Sequence, residues 1–288
     1  MAATPGERVL VTGACGGLGS VVVEELLRHG YEVTGIDKTV KSGMPVRVIA
    51  GNLTSASDVA YAMRGCAAVI HLGAYPSPYG RPDDEVFGNN TGATFAVLQA
   101  ASLLGVKRAA IASSVSAYGN AWAPEPFPPL YLPIDEAQPM LNHDAYGLSK
   151  EVDEITARMF VRREGMSVAA LRFHWIVLPG MLSQSVAPRT TDPAGIRTMW
   201  GYVKVEDAAR ACRLAIETAR DAPFGFEAFN IVADDTLALE ETEILVRRIA
   251  PDVEIRHPLP GFTSGYDNSK AKRLLGWHPG ASWRDDLD

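Results

Sequence analysis

Tyr146 and Lys150 lie four residues apart, a spacing that places both side chains on the same face of a helix. A free tyrosine has a pKa of about 10, but a neighbouring ammonium favours the phenolate and lowers that value. Such a pair can take a proton from a substrate hydroxyl or return one. Ser114, at the end of a predicted strand, can hold the substrate oxygen. We therefore predict Ser114, Tyr146 and Lys150 as catalytic residues, although a lone Tyr-x-x-x-Lys can also be a surface helix pair.

A glycine loop precedes these residues. Gly13, Gly16 and Gly19 follow a predicted strand at 9–11 and open a predicted helix at 17–29. In that context glycines allow a tight turn, close approach of a pyrophosphate and close helix packing, although glycines also mark plain turns. The helix N-terminus adds the positive end of its dipole.

The choice of dinucleotide depends on Asp37, which ends the second predicted strand 18 residues after Gly19. A carboxylate there can accept hydrogen bonds from the adenosine ribose and repels a 2′-phosphate. NAD is therefore favoured over NADP as the cofactor. Two alternatives remain: Lys38 could hold a phosphate instead, and Asp37 could be a simple turn residue.

The layout of the chain predicts an α/β fold, a Rossmann doubly wound parallel sheet with a small C-terminal substrate-capping lobe. Apolar runs alternate with amphipathic stretches, which predicts helices on both faces of the sheet. We predict strands at 32–36, 46–49, 67–71, 109–112 and 167–172, and helices at 55–63, 84–104 and 146–164. Residues 1–172 then form an NAD-binding core that includes the Tyr-Lys helix.

Residues 173–288 are expected to return to the core and to form the small substrate lobe. We expect a cap over the carboxyl edge of the sheet, built from helices at 205–219, 239–249 and 269–275 and a strand at 228–232. Residues 179–201 read as irregular. Residues 120–142 contain six prolines and directly precede Tyr146, which favours an ordered lid.

Composition narrows the class of partner. The net charge of −7 argues against nucleic acid or an anionic membrane, and no apolar run approaches the roughly 20 residues of a membrane helix. The three cysteines, Cys15, Cys66 and Cys212, have neither metal-site nor disulfide spacing. We expect a cytoplasmic protein with a small-molecule substrate and no metal.

Taken together, these residues resemble the extended short-chain dehydrogenase/reductase family, which includes nucleotide-sugar epimerases, dehydratases and uronate dehydrogenases. The resemblance extends to residues 71–74, 90–94, 113–119 and 268–277. It implies that Asn90 holds the helix that shapes the active site, and that a homodimer forms through the helices at 84–104 and 146–164. The candidate cofactor-binding residues are Gly13, Cys15, Gly16, Gly17, Leu18, Gly19, Asp37, Asn52, Leu53, Leu72, Gly73, Ala74, Asn90, Tyr146 and Lys150.

Departures from the family pattern bear on the substrate. Nucleotide-sugar enzymes usually carry Arg-x-x-Asn-x-x-Gly-Pro where this chain has residues 172–179, with Trp175 for the asparagine and Leu178 for the glycine. In size the chain is closer to uronate dehydrogenases, in which an arginine at the position of Arg197 binds the substrate carboxylate. Their Asn-His pair, however, is Val115-Ser116 here. The candidate substrate-binding residues are Tyr75, Ser114, Val115, Ser116, Trp175 and Arg197.

The favoured function is an NAD-dependent oxidoreductase that interconverts a hydroxyl and a carbonyl on a free sugar or uronic acid. One alternative is a nucleotide-sugar epimerase or dehydratase with tightly held NAD. Others are a reductase of an apolar or aromatic ketone and a non-catalytic NAD-sensing module. The aromatic residues Tyr75, Trp122, Trp175 and Trp200 could stack on a sugar, enclose an apolar substrate or only pack a lid.

Overall fold

The computed structural model describes residues 6–181 and 193–286. Among these residues, seven strands form one parallel sheet: β1 (Arg8–Thr12), β2 (Glu32–Asp37), β3 (Val48–Ala50), β4 (Ala68–His71), β5 (Arg108–Ser114), β7 (Ser167–Phe173) and β10 (Phe226–Ile231). Their order across the sheet is β10-β7-β5-β4-β1-β2-β3. Every residue of β4 and β7 is buried, as central strands covered on both faces must be.

Helices cover both faces of this sheet, which confirms the predicted doubly wound fold. In chain order the helices are α1 (Gly17–Arg28), α2 (Ala56–Met63), α3 (Asp83–Leu103), α4 (Ala145–Glu164), α5 (Val205–Asp221), α6 (Thr242–Ile249) and α7 (Ser269–Leu275). Helices α1, α5 and α7 contribute to the core on one face, and α2, α3 and α4 contribute to the core on the other.

The smaller lobe is built from segments far apart in the chain. Two short parallel pairs join β6 (Tyr131–Leu132) to β11 (Glu254–Ile255) and β8 (Ile176–Val177) to β9 (Val203–Lys204). Its apolar cluster includes Leu132, Trp200, Leu245 and Tyr266. The proline-rich stretch 120–142 therefore contains a strand of the lobe, β6, which the sequence did not predict.

The expectation that the helix at 205–219 and the strand at 228–232 belong to the cap is wrong. Strand β10 pairs with β7 and extends the main sheet. The buried small side chains Ala208, Cys212 and Ala215 bring α5 close to the core, in the same cluster as Val22 on α1. The predicted helix at 239–249 begins only at Thr242. Within the described residues no helix is both long and apolar enough to cross a membrane.

A buried ion pair connects α4, the helix of the predicted catalytic pair Tyr146 and Lys150, to the strands. The Arg172 guanidinium on β7 donates two hydrogen bonds of 2.8 Å to the two carboxylate oxygens of Glu154 on α4. Ser113, at the end of β5, donates to the same carboxylate at 2.8 Å. Arg172 also donates to the hydroxyl of Tyr118, which donates to Asn230. Three strands and α4 thus share one hydrogen-bond network.

Removing one member of this ion pair should destabilise the fold strongly. We expect Glu154→Leu to lower the free energy of unfolding by about 3–5 kcal/mol, because it leaves the Arg172 charge buried without a counter-ion. Urea denaturation followed by circular dichroism measures the loss. The double variant Glu154→Leu/Arg172→Met should cost less than Glu154→Leu alone, because no buried charge is left over.

The exposed pair formed by Arg81 and Glu85 provides the control, since both side chains are about half exposed. We expect Glu85→Leu to change the free energy of unfolding by less than about 1 kcal/mol. Equal losses from Glu154→Leu and Glu85→Leu would show that the buried pair has no special role.

Candidate active site

The glycine loop joins β1 to α1, and its geometry leaves no room for side chains at two positions. Gly13 has a φ of +67°, and a Cβ atom there would lie 2.8 Å from the backbone nitrogen of Gly73. A Cβ atom on Gly19 would overlap the carbonyl oxygen of Gly13. The Gly16 N–H donates to that same oxygen at 2.9 Å, which closes the turn. The loop therefore offers bare backbone at the N-terminus of α1, as a pyrophosphate site requires.

Asp37 lies beside this loop at the end of β2. One of its carboxylate oxygens accepts a hydrogen bond from the Cys15 N–H at 3.0 Å, and the other accepts one from the Thr39 N–H at 3.3 Å. The ammonium of the next residue, Lys38, lies 5.0 Å from the ring centroid of Tyr75. The carboxylate is thus fixed next to the loop, where adenosine ribose hydroxyls would meet it.

The next two strand ends complete this side of the site. The Leu72 and Gly73 N–H groups donate to the Thr12 hydroxyl, and Leu53 lies so close to Gly73 that a Cβ atom there would overlap it. Asn52 acts locally: its side-chain oxygen accepts from the N–H of Thr54. These contacts hold the segments after β3 and β4 close to the end of β1, next to the glycine loop.

Asn90 on α3 connects this region to α4. Its side-chain oxygen accepts from the Tyr75 N–H at 2.8 Å, and its amide group donates to the Tyr75 carbonyl at 3.1 Å and to Ser149 at 3.2 Å. The Tyr75 ring faces Lys38 and Arg81. Asn90 therefore joins the backbone at Tyr75 to Ser149 on α4; its predicted role in shaping the active site stays a prediction.

A cavity of about 700 Å³ runs from the glycine loop to the catalytic residues; we call it the central cavity. The candidate residues that line it are Gly13, Gly16, Gly17, Leu18, Gly19, Leu72, Ala74, Ser114, Val115, Ser116, Tyr146, Lys150 and Trp175. The candidates outside its lining are Cys15, Asp37, Asn52, Leu53, Gly73, Tyr75, Asn90 and Arg197. The structure thus brings the predicted catalytic residues and most of the glycine loop to one space.

The three predicted catalytic side chains come from two elements. Tyr146 lies in the first turn of α4, where Asp144 caps the helix by accepting from the Gly147 N–H at 2.8 Å. Lys150 follows one turn later, with its ammonium 5.8 Å from the Tyr146 ring centroid. Ser114 ends β5, and its hydroxyl oxygen accepts from the Ser116 N–H at 3.0 Å. The arrangement presents a phenol, an ammonium and a hydroxyl to the same cavity.

The opposite wall consists largely of aromatic and apolar groups. The Trp122 indole N–H donates to the Ser116 hydroxyl at 3.1 Å, which draws the proline-rich stretch over the cavity. Arg197 donates to the Ala123 carbonyl at 2.6 Å, so its guanidinium is directed at that stretch. Leu237, from the loop after β10, also lines the cavity. Sequence reasoning missed Leu237, because nothing near it marks it as more than a loop residue.

His71 and His174 are both hydrogen-bonded. His71 lies between Thr12 and Thr94, at 2.7 and 3.2 Å. The two ring nitrogens of His174 meet the Thr198 carbonyl oxygen and the backbone N–H of Trp175. Across the described residues, no group of three His, Cys, Asp or Glu side chains could hold a metal ion.

Comparison with known proteins agrees with this geometry. Residues 9–231 match the model of the NAD dependent epimerase/dehydratase family, a match that covers the whole main sheet except the first residue of β1. The chain belongs to this family. It is therefore an enzyme of the extended short-chain dehydrogenase/reductase type, which confirms the predicted family and fold.

Individual members of the family differ in substrate. The chain is 26% identical to an L-arabinose 1-dehydrogenase (NAD(P)(+)) of Haloferax volcanii over 82% of this chain and 92% of that protein. It is 27% identical to a uronate dehydrogenase of Pseudomonas syringae pv. tomato over 75% of this chain and 71% of that one. A solved structure of MoeE5 in complex with UDP-glucose and NAD matches with a TM-score of 0.73, 26% identity and coverage of 97% and 96%.

We expect Gly19→Ala to weaken NAD binding by about tenfold or more, equivalent to about 1.4 kcal/mol. The added methyl group would displace the Gly13 carbonyl and so distort the loop. Isothermal titration calorimetry with NAD measures the change. Gly88→Ala is the matched control, because Gly88 lies in α3 with nothing within 4 Å of an added Cβ atom. Equal affinities of the two variants for NAD would contradict a role for the loop in cofactor binding.

Proposed function

We propose that this protein is an NAD-dependent oxidoreductase that interconverts a hydroxyl and a carbonyl on a small, neutral, sugar-like substrate. The observation that carries the proposal is that Ser114, Tyr146 and Lys150 line the same cavity as the glycine loop. A proton-transfer group and a cofactor-binding loop in one space are what hydride transfer to or from a carbon–oxygen bond requires.

Tyr146 is the group that moves the proton. In oxidation its phenolate takes the proton of the substrate hydroxyl, and in reduction its phenol returns one to the carbonyl oxygen. The Lys150 ammonium favours the phenolate. Because the Ser114 oxygen already accepts from the Ser116 N–H, its own proton is available to donate to the substrate oxygen. A bound nicotinamide accepts or supplies the hydride.

The lining of the central cavity supports a neutral substrate over a uronate. Among the described lining residues, Lys150 is the only lysine or arginine. Arg197, the candidate for a substrate carboxylate, lies outside this lining and donates to the Ala123 carbonyl. Similarity to an L-arabinose 1-dehydrogenase over most of both chains supports the same choice, since L-arabinose is an uncharged sugar. Trp122 and Trp175 offer ring faces of the kind that stack on sugars.

NAD is the cofactor that the structure supports better. The Asp37 carboxylate is held beside the glycine loop by the Cys15 N–H, and it would repel a 2′-phosphate. The Lys38 ammonium, which could have offset that repulsion, lies over the Tyr75 ring.

An epimerase or dehydratase reaction is the second candidate. Its support is the similarity to MoeE5, whose structure contains UDP-glucose and NAD. The same tyrosine and lysine would serve, but the hydride would return to the substrate and the cofactor would stay bound. The two candidates therefore differ in whether NADH accumulates.

The proposal predicts NADH formation with neutral aldoses that Tyr146→Phe lowers about 100-fold or more, because the variant cannot accept the hydroxyl proton. The assay follows NADH absorbance with aldoses, uronic acids, polyols and aromatic alcohols, each with NAD and NADP. Neutral aldoses with NAD should give the highest kcat/KM.

Binding of NAD to Tyr146→Phe should stay within a few-fold of the wild type, which separates lost chemistry from lost binding. Activity with uronic acids alone would contradict the neutral substrate. If no NADH accumulates with any substrate and NAD remains on the purified protein, the epimerase reaction is the better description.

We also propose that the chain forms a homodimer through α3 and α4. On α4, Leu148 and Ile155 are exposed and lie seven residues apart on one face. On α3, Phe95 and Leu103 are exposed and lie eight residues apart. An apolar surface on two neighbouring helices fits a four-helix contact with a second copy of the chain.

Light scattering after size exclusion should give twice the chain mass of 31.0 kDa for the wild type. Ile155→Glu should shift this value towards the monomer, because it places a charge in the contact. Leu239→Glu is the control, because Leu239 is equally exposed but lies in the smaller lobe. A wild-type monomer, or a dimer that Ile155→Glu leaves intact, would contradict this contact.

A further inference from the structure

A buried carboxylate lies directly beside the catalytic lysine. The Lys150 ammonium donates to Asp153, three residues further along α4, at 3.2 Å. Both side chains are almost fully buried, with 3% and 1% of their surface exposed. An ionised carboxylate is costly to bury unless it is paired and hydrogen-bonded. The proton transfer by Tyr146 does not by itself explain why a carboxylate should be placed there.

A chain of hydrogen bonds runs from Thr12, at the end of β1, to Thr94 on α3, beside Asp153. It starts at Thr12, whose hydroxyl accepts from the N–H groups of Leu72 and Gly73, at 3.1 and 3.3 Å. The Thr12 proton is then left to donate to the Nδ1 of His71, 2.7 Å away. His71 accordingly carries its proton on Nε2.

The chain continues through α3. The Nε2 of His71 lies 3.2 Å from the Thr94 hydroxyl, to which it donates. Thr94 in turn lies beside the Asp153 carboxyl and favours its charged form. Burial, and to a smaller extent the Lys150 charge, lower the pKa of His71 to about 3, so its ring is neutral as this direction requires. Asp153 accepts a hydrogen bond from Lys150 through Oδ2, while its Oδ1 is buried without a hydrogen-bond partner among the described residues.

Resting on the proposed function, we propose that Asp153 is a positioning residue that keeps the Lys150 ammonium charged and fixed beside Tyr146. Its carboxylate does so through the buried hydrogen bond from Lys150. Thr94, which lies beside this carboxylate, is itself joined through His71 to Thr12 at the start of the glycine loop.

The neighbouring carboxylate of Glu154 is already paired with another residue. Glu154, next along α4, is bound to Arg172 on β7. From β4 the titratable group is the neutral His71, and from α3 the contact is the uncharged Thr94. Burial raises the pKa of the Asp153 carboxyl, and the Lys150 charge opposes that rise. Within the described residues, Asp153 is the carboxylate to which the Lys150 ammonium is hydrogen-bonded.

Two effects of removing the Asp153 charge oppose each other at Tyr146, and their sizes decide the outcome. Direct repulsion of the phenolate would be relieved, but Asp153 lies seven residues from Tyr146, about 10 Å along the helix. A buried ammonium without its counter-ion gives up its proton much more readily, by up to several pH units. Loss of the ammonium next to Tyr146 therefore outweighs the relieved repulsion. Asp153→Asn should make the Tyr146 phenol ionise at higher pH.

The test measures this ionisation directly, in protein without cofactor or substrate. The ultraviolet absorbance of phenolate is titrated in the wild type and in Tyr146→Phe, and the difference gives the Tyr146 midpoint. The same pair of titrations is made in the Asp153→Asn background. We expect the Tyr146 midpoint to move to higher pH by about one unit. In the loaded enzyme, kcat at neutral pH should fall about tenfold or more, with a smaller change in KM.

Asp84→Asn is the matched control, because it makes the same change of charge at an exposed position on α3. It should leave both the midpoint and kcat unchanged. Thr94→Val is the second variant: it keeps the Asp153 carboxylate but removes the neighbouring hydroxyl that favours its charged form. It should move the midpoint in the same direction by a smaller amount.

A Tyr146 midpoint that stays or moves to lower pH in Asp153→Asn overturns the inference. If Asp153→Asn does not fold, an unchanged midpoint in Thr94→Val overturns it. The proposed function can fail separately: a wild type without turnover on any substrate, but with the expected shift in midpoint, would contradict the reaction and leave the role of Asp153 intact.

Discussion

The buried ion pair between Arg172 and Glu154 is the interaction on which the site depends most. It fixes α4, and hence Tyr146 and Lys150, against the carboxyl ends of the strands. The hydrogen bond from Ser113 to Glu154 fixes the end of β5, and with it Ser114, relative to α4. A buried pair of this kind adds little net stability compared with apolar packing, but losing one partner is costly. Its value here is that it specifies how the catalytic elements meet.

On the cofactor side of the site, the structure depends instead on backbone segments that approach each other too closely for side chains. Gly13 approaches Gly73, and Gly19 approaches the Gly13 carbonyl, more closely than any Cβ atom would allow. Thr12 then joins the ends of β1 and β4 through its hydroxyl. Hydrogen bonds run on from Thr12 through His71 to Thr94 on α3. Buried polar contacts therefore join the end of β1, on the cofactor side, to α3, the helix against which α4 packs.

Much of this could be predicted from the sequence, because its signals are local. The glycine loop, Asp37 and the Tyr-Lys spacing each lie within one strand–turn–helix unit, and the strands that carry them are apolar runs. The misplacement of α5 and β10 has a physical reason: position in the chain does not reveal that small residues such as Ala208 and Ala215 let α5 pack on the core. Asp153 stands three residues after the lysine, but its burial depends on the packing of α3 against α4, which nothing near it in the sequence reveals.

The residues that would select the substrate come from segments far apart in the chain, so local sequence signals do not reveal them. The wall that faces Tyr146 takes Trp122 from the stretch before α4, Trp175 after β7, and Trp200 and Leu237 from still more distant loops. Trp200 and Leu237 are placed within the smaller lobe, where the Leu237 N–H donates to the Trp200 carbonyl, whereas Trp122 is held by the Ser116 hydroxyl. In this lobe β6 and β11 pair segments over 100 residues apart. The proton-transfer residues depend instead on the main sheet. Changes in the lobe can therefore alter which molecule enters without moving Tyr146 or Lys150, and the similar proteins named above differ in their substrates, one being an L-arabinose 1-dehydrogenase and another a uronate dehydrogenase.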